Sequence, residues 1–339
     1  MPRKDTNIFG EAQVVEINEL EGKVFIKCPA CMSVWSEGLS WANSNKDRIV
    51  KKPNEADNII ILCCQVTDLA VENDFRTIQY YIDRYPEAKV FASACLARRY
   101  DIKLPIGARR LLMFSEDLGV IDDTSLVSMT KPFWVKDFKE GEDEYKDGHL
   151  FRHMFPMRIS RGCKNSCSYC TIRITRGDYC KRAYNLAEFM DNDNILLVSD
   201  SPTVEELKFW IEEAIECGKT ISVRNVEPYA AIALWRELTE IATLGLLKVF
   251  HSPIQSNNAD ILEDMNRPVK ATFNVIKLAK MLKSLGVFIA TNIIIDYKDF
   301  KEDYAEIYKI YDYVSWNPYW DGNWDREKAE ERFNHYFGE

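Results

Sequence analysis

Three cysteines, Cys163, Cys167 and Cys170, carry the clearest chemistry in the 339-residue chain. They fall on the stretch MRISRGCKNSCSYCTIRITRG, preceded by Gly162 and interleaved with Asn165, Ser166 and Ser168. Thiolates so closely spaced on a polar loop can wrap one metal centre, and an iron-sulfur cluster is the natural reading. A four-iron cluster held by three cysteines leaves one iron without a protein ligand, free to bind a substrate or cofactor. A zinc site completed by Cys180 and a disulfide knot are the competing readings. Zinc sites usually pair two C-x2-C knuckles, and no second knuckle follows Cys170.

Further cysteines close predicted strands. An apolar run at residues 24–27 ends at Cys28, and a helix is expected over 35–44. The stretch NIIILCCQVTD, residues 58–68, has the continuous apolar run of a buried parallel strand and carries Cys63 and Cys64 at its end. A helical pattern over 73–85, then Pro86, leads to the strand KVFASACLARR with Cys95. This is βαβ grammar, and in an open parallel sheet ligands gather beyond the carboxyl ends of the strands. Cys28, Cys64 and Cys95 are therefore expected to converge on one edge as a second metal site. Free cysteine is also a common small core hydrophobe, which is the competing reading.

A polar, charged connector follows over 131–150, with Pro132, Gly141 and Gly148. His149 and His153 lie near its end and receive no ligand role. Beyond the cysteine loop, strand and helix alternate. NILLVSD (194–200) precedes a helix stopped by Gly218, a strand spans 220–226, and a helix ends at Gly245. LKVFHSPIQS, a helix over 272–285, the strand VFIATNIII, a helix over 303–311 and a last strand at 313–316 complete the series. The fold class is α/β: an N-terminal open parallel sheet (1–130), a linker (131–150) and a partial (β/α)6 TIM-like barrel (151–339). Barrel active sites collect at strand C-termini, which picks out Ser199, Asp200, Arg224, Asn225, residues 251–256 and Asn292.

Composition narrows the class. A 46% hydrophobic content suits a folded chain with a proper core. The start, MPRKDTNIFGEAQ, lacks an apolar signal core, and no run of eighteen apolar residues occurs, so cytoplasm without membrane insertion is the expectation. Ten cysteines in that compartment point to metal binding over disulfides. A net charge of −9 argues against a broad nucleic-acid surface. Locally, Arg158, Arg161, Lys164, Arg173, Arg176, Lys181 and Arg182 face only Asp178 over residues 157–182; they balance an anionic cluster or line a nucleic-acid groove.

The C-x3-C-x2-C spacing after a basic strand resembles the signature of radical S-adenosylmethionine (SAM) enzymes. The resemblance implies that Cys163, Cys167 and Cys170 hold a 4Fe-4S cluster whose unique iron chelates SAM, and that one electron cleaves SAM to a 5′-deoxyadenosyl radical. Tyr169 matches the aromatic position near the adenine. CCQVT and ACLARR resemble the N-terminal domain of the methylthiotransferase subfamily, where cysteines in NTCxVT-like and GCxAxR-like contexts hold an auxiliary 4Fe-4S cluster. That implies Cys28, Cys64 and Cys95 as its ligands. The family's GCxxN context is altered here to KCPACMSVWSE, so Cys31 remains an alternative to Cys28, and Cys63 to Cys64. HSPIQSNNADILEDMNR resembles the family's LPVQSGSxxxLxxMxR segment, which carries a SAM-facing role to Gln255 and Ser256. Arg224 follows a strand where the family places a SAM-facing polar group; a rim arginine is the other reading.

Two departures stand out. The family's GFPGET-like loop is replaced by IIIDYKDFKED, and the chain ends in the charged tail DREKAEERFNHYFGE without the family's C-terminal TRAM domain. Trp316, Tyr319, Trp320 and Trp324 precede that tail, as barrel-closing packing or as a stacking platform. The expectation is a methylthiotransferase-like transferase using SAM twice: one molecule methylates a cluster sulfur, and the second gives the radical for methylthio insertion at an unactivated C–H bond. A peptide or protein substrate is favoured over tRNA, with an external electron donor such as flavodoxin or ferredoxin. The alternatives are another C–H functionalisation with two clusters, or an iron-sulfur scaffold subunit.

Overall fold

The computed structural model describes residues 14–113, 121–129, 151, 154–182, 185–298, 300 and 303–337. The linker at 131–150, with His149, and His153 lie outside the described residues. Two compact units divide the chain: Met1–Thr130 with Asn323–Glu339, and Lys131–Gly322.

The first unit contains β1 (Val14–Glu16), β2 (Val24–Cys28), α1 (Met32–Ser44), β3 (Asn58–Cys63), α2 (Asp68–Arg84), β4 (Lys89–Ala94), β5 (Ala108–Leu112) and β6 (Ser128–Met129). Every strand pair is parallel, in the order β1-β5-β4-β3-β2-β6. All six residues of β3 are buried, as its unbroken apolar run requires of a central parallel strand. Both helices start earlier than hydrophobic periodicity indicates. Thr67 caps α2 by accepting from Ala70 N–H, and polar residues of its first turns, Asp68, Glu72 and Asp74, are buried. A polar but buried helix start is invisible to a count of apolar residues. In α1, a Cβ on Gly38 would overlap the Leu62 side chain, so the missing side chain lets the helix lie close on β3.

The second unit runs through β7 (Phe155–Arg158), β8 (Ser160–Arg161), α3 (Ile172–Thr175), β9 (Cys180–Lys181), α4 (Leu186–Asp191), β10 (Ile195–Val198), α5 (Val204–Cys217), β11 (Ile221–Val223), α6 (Pro228–Ala233) and α7 (Trp235–Thr243). It continues with β12 (Leu247–His251), α8 (Ala259–Asp264), α9 (Val269–Ser284), β13 (Phe288–Ile295), α10 (Ala305–Ile310) and β14 (Tyr313–Pro318). The six-stranded sheet is parallel throughout and follows chain order, β7-β10-β11-β12-β13-β14. Right-handed crossovers that never reverse direction put every helix on one face, and such a sheet curls into a barrel segment. The core includes Trp210, Phe250, Leu278 and Ile289, none of them measurably exposed. The single helix expected to end at Gly245 is two, α6 and α7, broken at Leu234. α5 opens on a Thr203/Glu206 capping box and stops at Gly218 in the left-handed conformation.

The tail, read from sequence as the charged end of the barrel, forms α11 (Arg326–Phe337) within the first unit. It packs on α2. Arg332 Nη1 donates to Asp68 at 2.6 Å, the Arg76 guanidinium lies 4.3 Å from the Phe333 ring centre, and Trp324 meets Phe75 edge-on at 5.2 Å.

Candidate cluster sites

The cysteine loop leaves the sheet through β7 and β8 and is pinned at the C-terminal end of β10. Gly162 N–H donates to Asp200 Oδ2 at 2.8 Å, and Arg176 Nε to the same oxygen at 3.0 Å. Burial alone would raise the Asp200 carboxyl; Arg176 and Arg158 outweigh it and hold the group below its ordinary range. Asn165 Nδ2 donates to Ser201 Oγ at 3.3 Å, and Ser168 is tied to α8 through its hydroxyl, 2.8 Å from Asp264 O. A Cβ on Gly162, whose φ is +80°, would stand 2.8 Å from Asp178 O, so the turn into Cys163 needs glycine.

The three thiols of this loop come together. Burial pushes the Cys170 thiol up to about 12, with Cys167, Cys163 and Glu227 adding to the rise. Cys163 is raised by burial in the same way, beside Glu227 and Cys167. Arg267 supplies positive charge: its Nη1 lies 3.7 Å from Cys167 Sγ and 2.6 Å from Glu227 Oε2, while Nη2 donates to Pro253 O at 2.5 Å. Tyr169, partly buried, packs on Ile261, Met265, Ile294 and Tyr297. Neither Arg267 nor Glu227 was singled out from sequence. Arg267 stood in plain view as the last residue of LEDMNR, but only the fold brings it back to the cysteines.

At the C-terminal rim a hydrogen-bonded chain crosses four strands. Asn225 Nδ2 donates to Ser199 O at 3.0 Å, and Asn225 N–H donates to His251 Nδ1 at 3.0 Å. Since Nδ1 accepts, the ring proton sits on Nε2, which donates to Asn292 Oδ1 at 3.0 Å. Burial, then the nearby Arg224, lowers the His251 pKa to about 4, so the ring is neutral. Arg224 is partly buried with its guanidinium 5.8 Å from the Phe151 ring centre. Gln255 takes a left-handed backbone, φ +68°, between hydrogen bonds to Asn292 O and from Ile294 N–H. Ser256 is fully buried, and its hydroxyl accepts from Asn258 N–H at 2.9 Å. Asn258 in turn caps α8. In the altered loop after Ile295, Tyr297 OH donates to Asp264 Oδ2 at 2.5 Å, Lys298 pairs with Asp264, and Tyr319 packs edge-on to Tyr297 at 4.6 Å. Trp320 is buried.

In the first unit, Cys28, Cys64 and Cys95 lie at the carboxyl ends of the adjacent strands β2, β3 and β4. All three are buried. Asp74 of α2, also buried, accepts from Cys64 N–H at 2.6 Å and so fixes the turn that leaves β3. Cys63 ends β3, with its thiol 3.2 Å from Ile61 O. Cys180 is exposed on β9.

Among the described residues, no three His, Cys, Asp or Glu side chains close around a point as one metal ion requires. A four-iron cluster binds each thiolate on a different iron, and its ligands stand further apart. The donor sets fit such a cluster: soft sulfur, no histidine, and Glu227 and Asp74 already engaged with Arg267 and Cys64 N–H.

No family model matches the chain. The ribosomal protein uS12 methylthiotransferase RimO of Clostridium novyi (strain NT) is 26% identical over 298 residues, 79% of this chain and 66% of the relative. In sequence the chain is thus similar to a methylthiotransferase. The methylthiotransferase of the same name from Clostridium acetobutylicum is 26% identical over 283 residues, 75% of this chain and 63% of that one. The chain thus spans about two thirds or less of these relatives' length. Streptococcus suis SuiB, solved bound to S-adenosylmethionine, aligns over 54% of this chain and 47% of its own, with a TM-score of 0.35 and 15% identity. No helix among the described residues is long and apolar enough to cross a membrane.

Proposed function

We propose that the chain is a radical SAM enzyme of the methylthiotransferase type that inserts a methylthio group at a C–H bond of a protein or peptide. The observation that carries this reading is the pair of separate thiol groups, each at the carboxyl edge of a parallel sheet: Cys163, Cys167 and Cys170 in one unit, Cys28, Cys64 and Cys95 in the other. When bound, the first cluster supplies the electron that cleaves SAM and the second the sulfur. The chain's own residues hold and shape these sites. Asp200 and Gly162 set the cysteine loop, and Arg267 offsets negative charge at Cys167. The neutral His251, locked between Asn225 and Asn292, stiffens the rim where Arg224 and Gln255 stand ready for the polar groups of SAM. The relatives are named for action on ribosomal protein uS12, which favours a protein substrate here.

Iron and sulfide measured after anaerobic reconstitution test the two-cluster reading, comparing wild type with the Cys163→Ala/Cys167→Ala/Cys170→Ala variant. About eight irons falling to about four is expected. Four falling to none would leave the first-unit cysteines as core residues and remove the sulfur donor. Formation of 5′-deoxyadenosine under reductant separates an enzyme from a scaffold. Mass spectrometry of ribosomal protein uS12 and of tRNA incubated in parallel reads the substrate; methylthiolated tRNA with unmodified uS12 would overturn the protein assignment.

A further inference from the structure

Apart from Cys63, whose thiol donates to Ile61 O at 3.2 Å, the first-unit site contains one thiol more than a sulfur-donor cluster with an open iron needs. The strand register shows why. Cys63 pairs with Ala94, so Cys64 and Cys95 stand level one residue later. Lys27 pairs with Ile61, so Cys28 stands level with Leu62, two residues short of that line. At 3.3 Å per residue the offset is about 7 Å. The gap ahead of Cys28 is where the chain turns through Pro29 and Ala30 to Cys31, the N-cap of the 13-residue α1. The Cys31 carbonyl accepts from Val34 and Trp35 N–H, while its side chain makes no capping bond. Its thiol is thus left to the site, at the helix end whose dipole favours negative charge. The charge neighbours agree. After burial, the groups that raise the Cys64 thiol most are Cys31, then Cys95 and Asp74, and Cys31 raises the Cys28 thiol more than Asp74 does.

We infer that Cys28, Cys31, Cys64 and Cys95 together form a four-thiolate ligand set, so that every iron of the auxiliary cluster has a protein ligand while Cys31 is bound. The inference rests on the two-cluster reading above. Three ligands are buried, and Cys31, at a helix start, is the one that is partly exposed. Cys31 therefore decides whether an iron is open to an external sulfur ligand.

The full chain carrying Cys163→Ala/Cys167→Ala/Cys170→Ala isolates this centre. After anaerobic reconstitution, iron content and electron paramagnetic resonance are recorded before and after mild ferricyanide oxidation. A fully ligated cluster keeps about four irons, whereas a cluster with an open iron loses it and shows a three-iron signal. The background variant is expected to keep its irons. Adding Cys31→Ala or Cys31→Ser, or Cys28→Ala, is expected to drop the count to about three with the three-iron signal. Conversion of the background variant itself, or no difference on removing Cys31 or Cys28, overturns the four-thiolate set. Absence of iron from the background, or zinc in its place, overturns the auxiliary cluster as well, and is told apart by the metal count before oxidation. Far-ultraviolet circular dichroism of each variant confirms that the first unit is folded.

Discussion

Arg267 and Glu227 form an ion pair within the barrel unit, 2.6 Å between Nη1 and Oε2, with side chains 1% and 10% exposed. The same Nη1 lies 3.7 Å from Cys167 Sγ. Removing one partner of such a pair leaves an uncompensated buried charge, at a cost of about 3–5 kcal/mol. Arg267→Met is expected to lose that much stability in urea denaturation of the metal-free protein. The Arg267→Met/Glu227→Gln double variant recovers part of it. A single-variant loss under about 1 kcal/mol would show that the pair does not hold this region.

His251 predicts a pH dependence with a definite sign. Its folded pKa, about 4, lies below the ordinary value of 6.5, so the unfolded chain binds the proton more readily. The neutral ring's contribution is complete above pH 6.5 and is lost as pH falls towards 4. The total is about 3 kcal/mol. Thermal unfolding of wild type and His251→Gln at pH 7 and pH 5 checks this, the variant having the shallower dependence. Parallel slopes would remove His251 as the cause.

Gly162→Ala places a Cβ against Asp178 O and an L residue at φ +80°. Strain of about 1–3 kcal/mol is expected to displace the turn before Cys163. Iron uptake should fall by about half, with the first-unit centre intact. Full uptake by the variant would show that the loop adapts.

Gln255 is held at φ +68°, where glycine is at ease. Gln255→Gly should therefore leave stability unchanged or raise it by about 1 kcal/mol. If its side chain serves SAM, affinity in the reconstituted protein falls about tenfold, the worth of one hydrogen bond. Equilibrium dialysis with labelled SAM reads the split; unchanged affinity returns Gln255 to a purely backbone role.

The α11–α2 contact is open to a direct test. Arg332→Ala/Phe333→Ala removes the partner of the buried Asp68 and the ring under Arg76. A loss of about 1–3 kcal/mol is expected. Amide exchange should quicken along α2 and stay constant in β10–β13. Unchanged exchange in α2 would mean that the helix stands without its cover.

What the sequence revealed follows the range of each interaction. Strand β3 was readable because four consecutive apolar residues leave little else for residues 59–62 to do, and the alternation of strand and helix gave the parallel sheets. Cys163, Cys167 and Cys170 were readable because their spacing is local. Arg267 and Asp74 were not. Each acts on a cysteine brought near by the fold, Arg267 on one a hundred positions away and Asp74 from the next helix, and neither leaves a periodic trace. The charge of the tail was legible, but its place as α11 depended on Trp324, Arg332 and Phe333 finding one face of α2.

That destination has a consequence during synthesis. The first unit joins residues on either side of the barrel unit, so the barrel unit is synthesised between α2 and α11. While domains usually fold in the order they emerge, here α2 waits with one face uncovered until α11 has been made. A chaperone has that interval in which to meet Phe75 and Arg76 before α11 does.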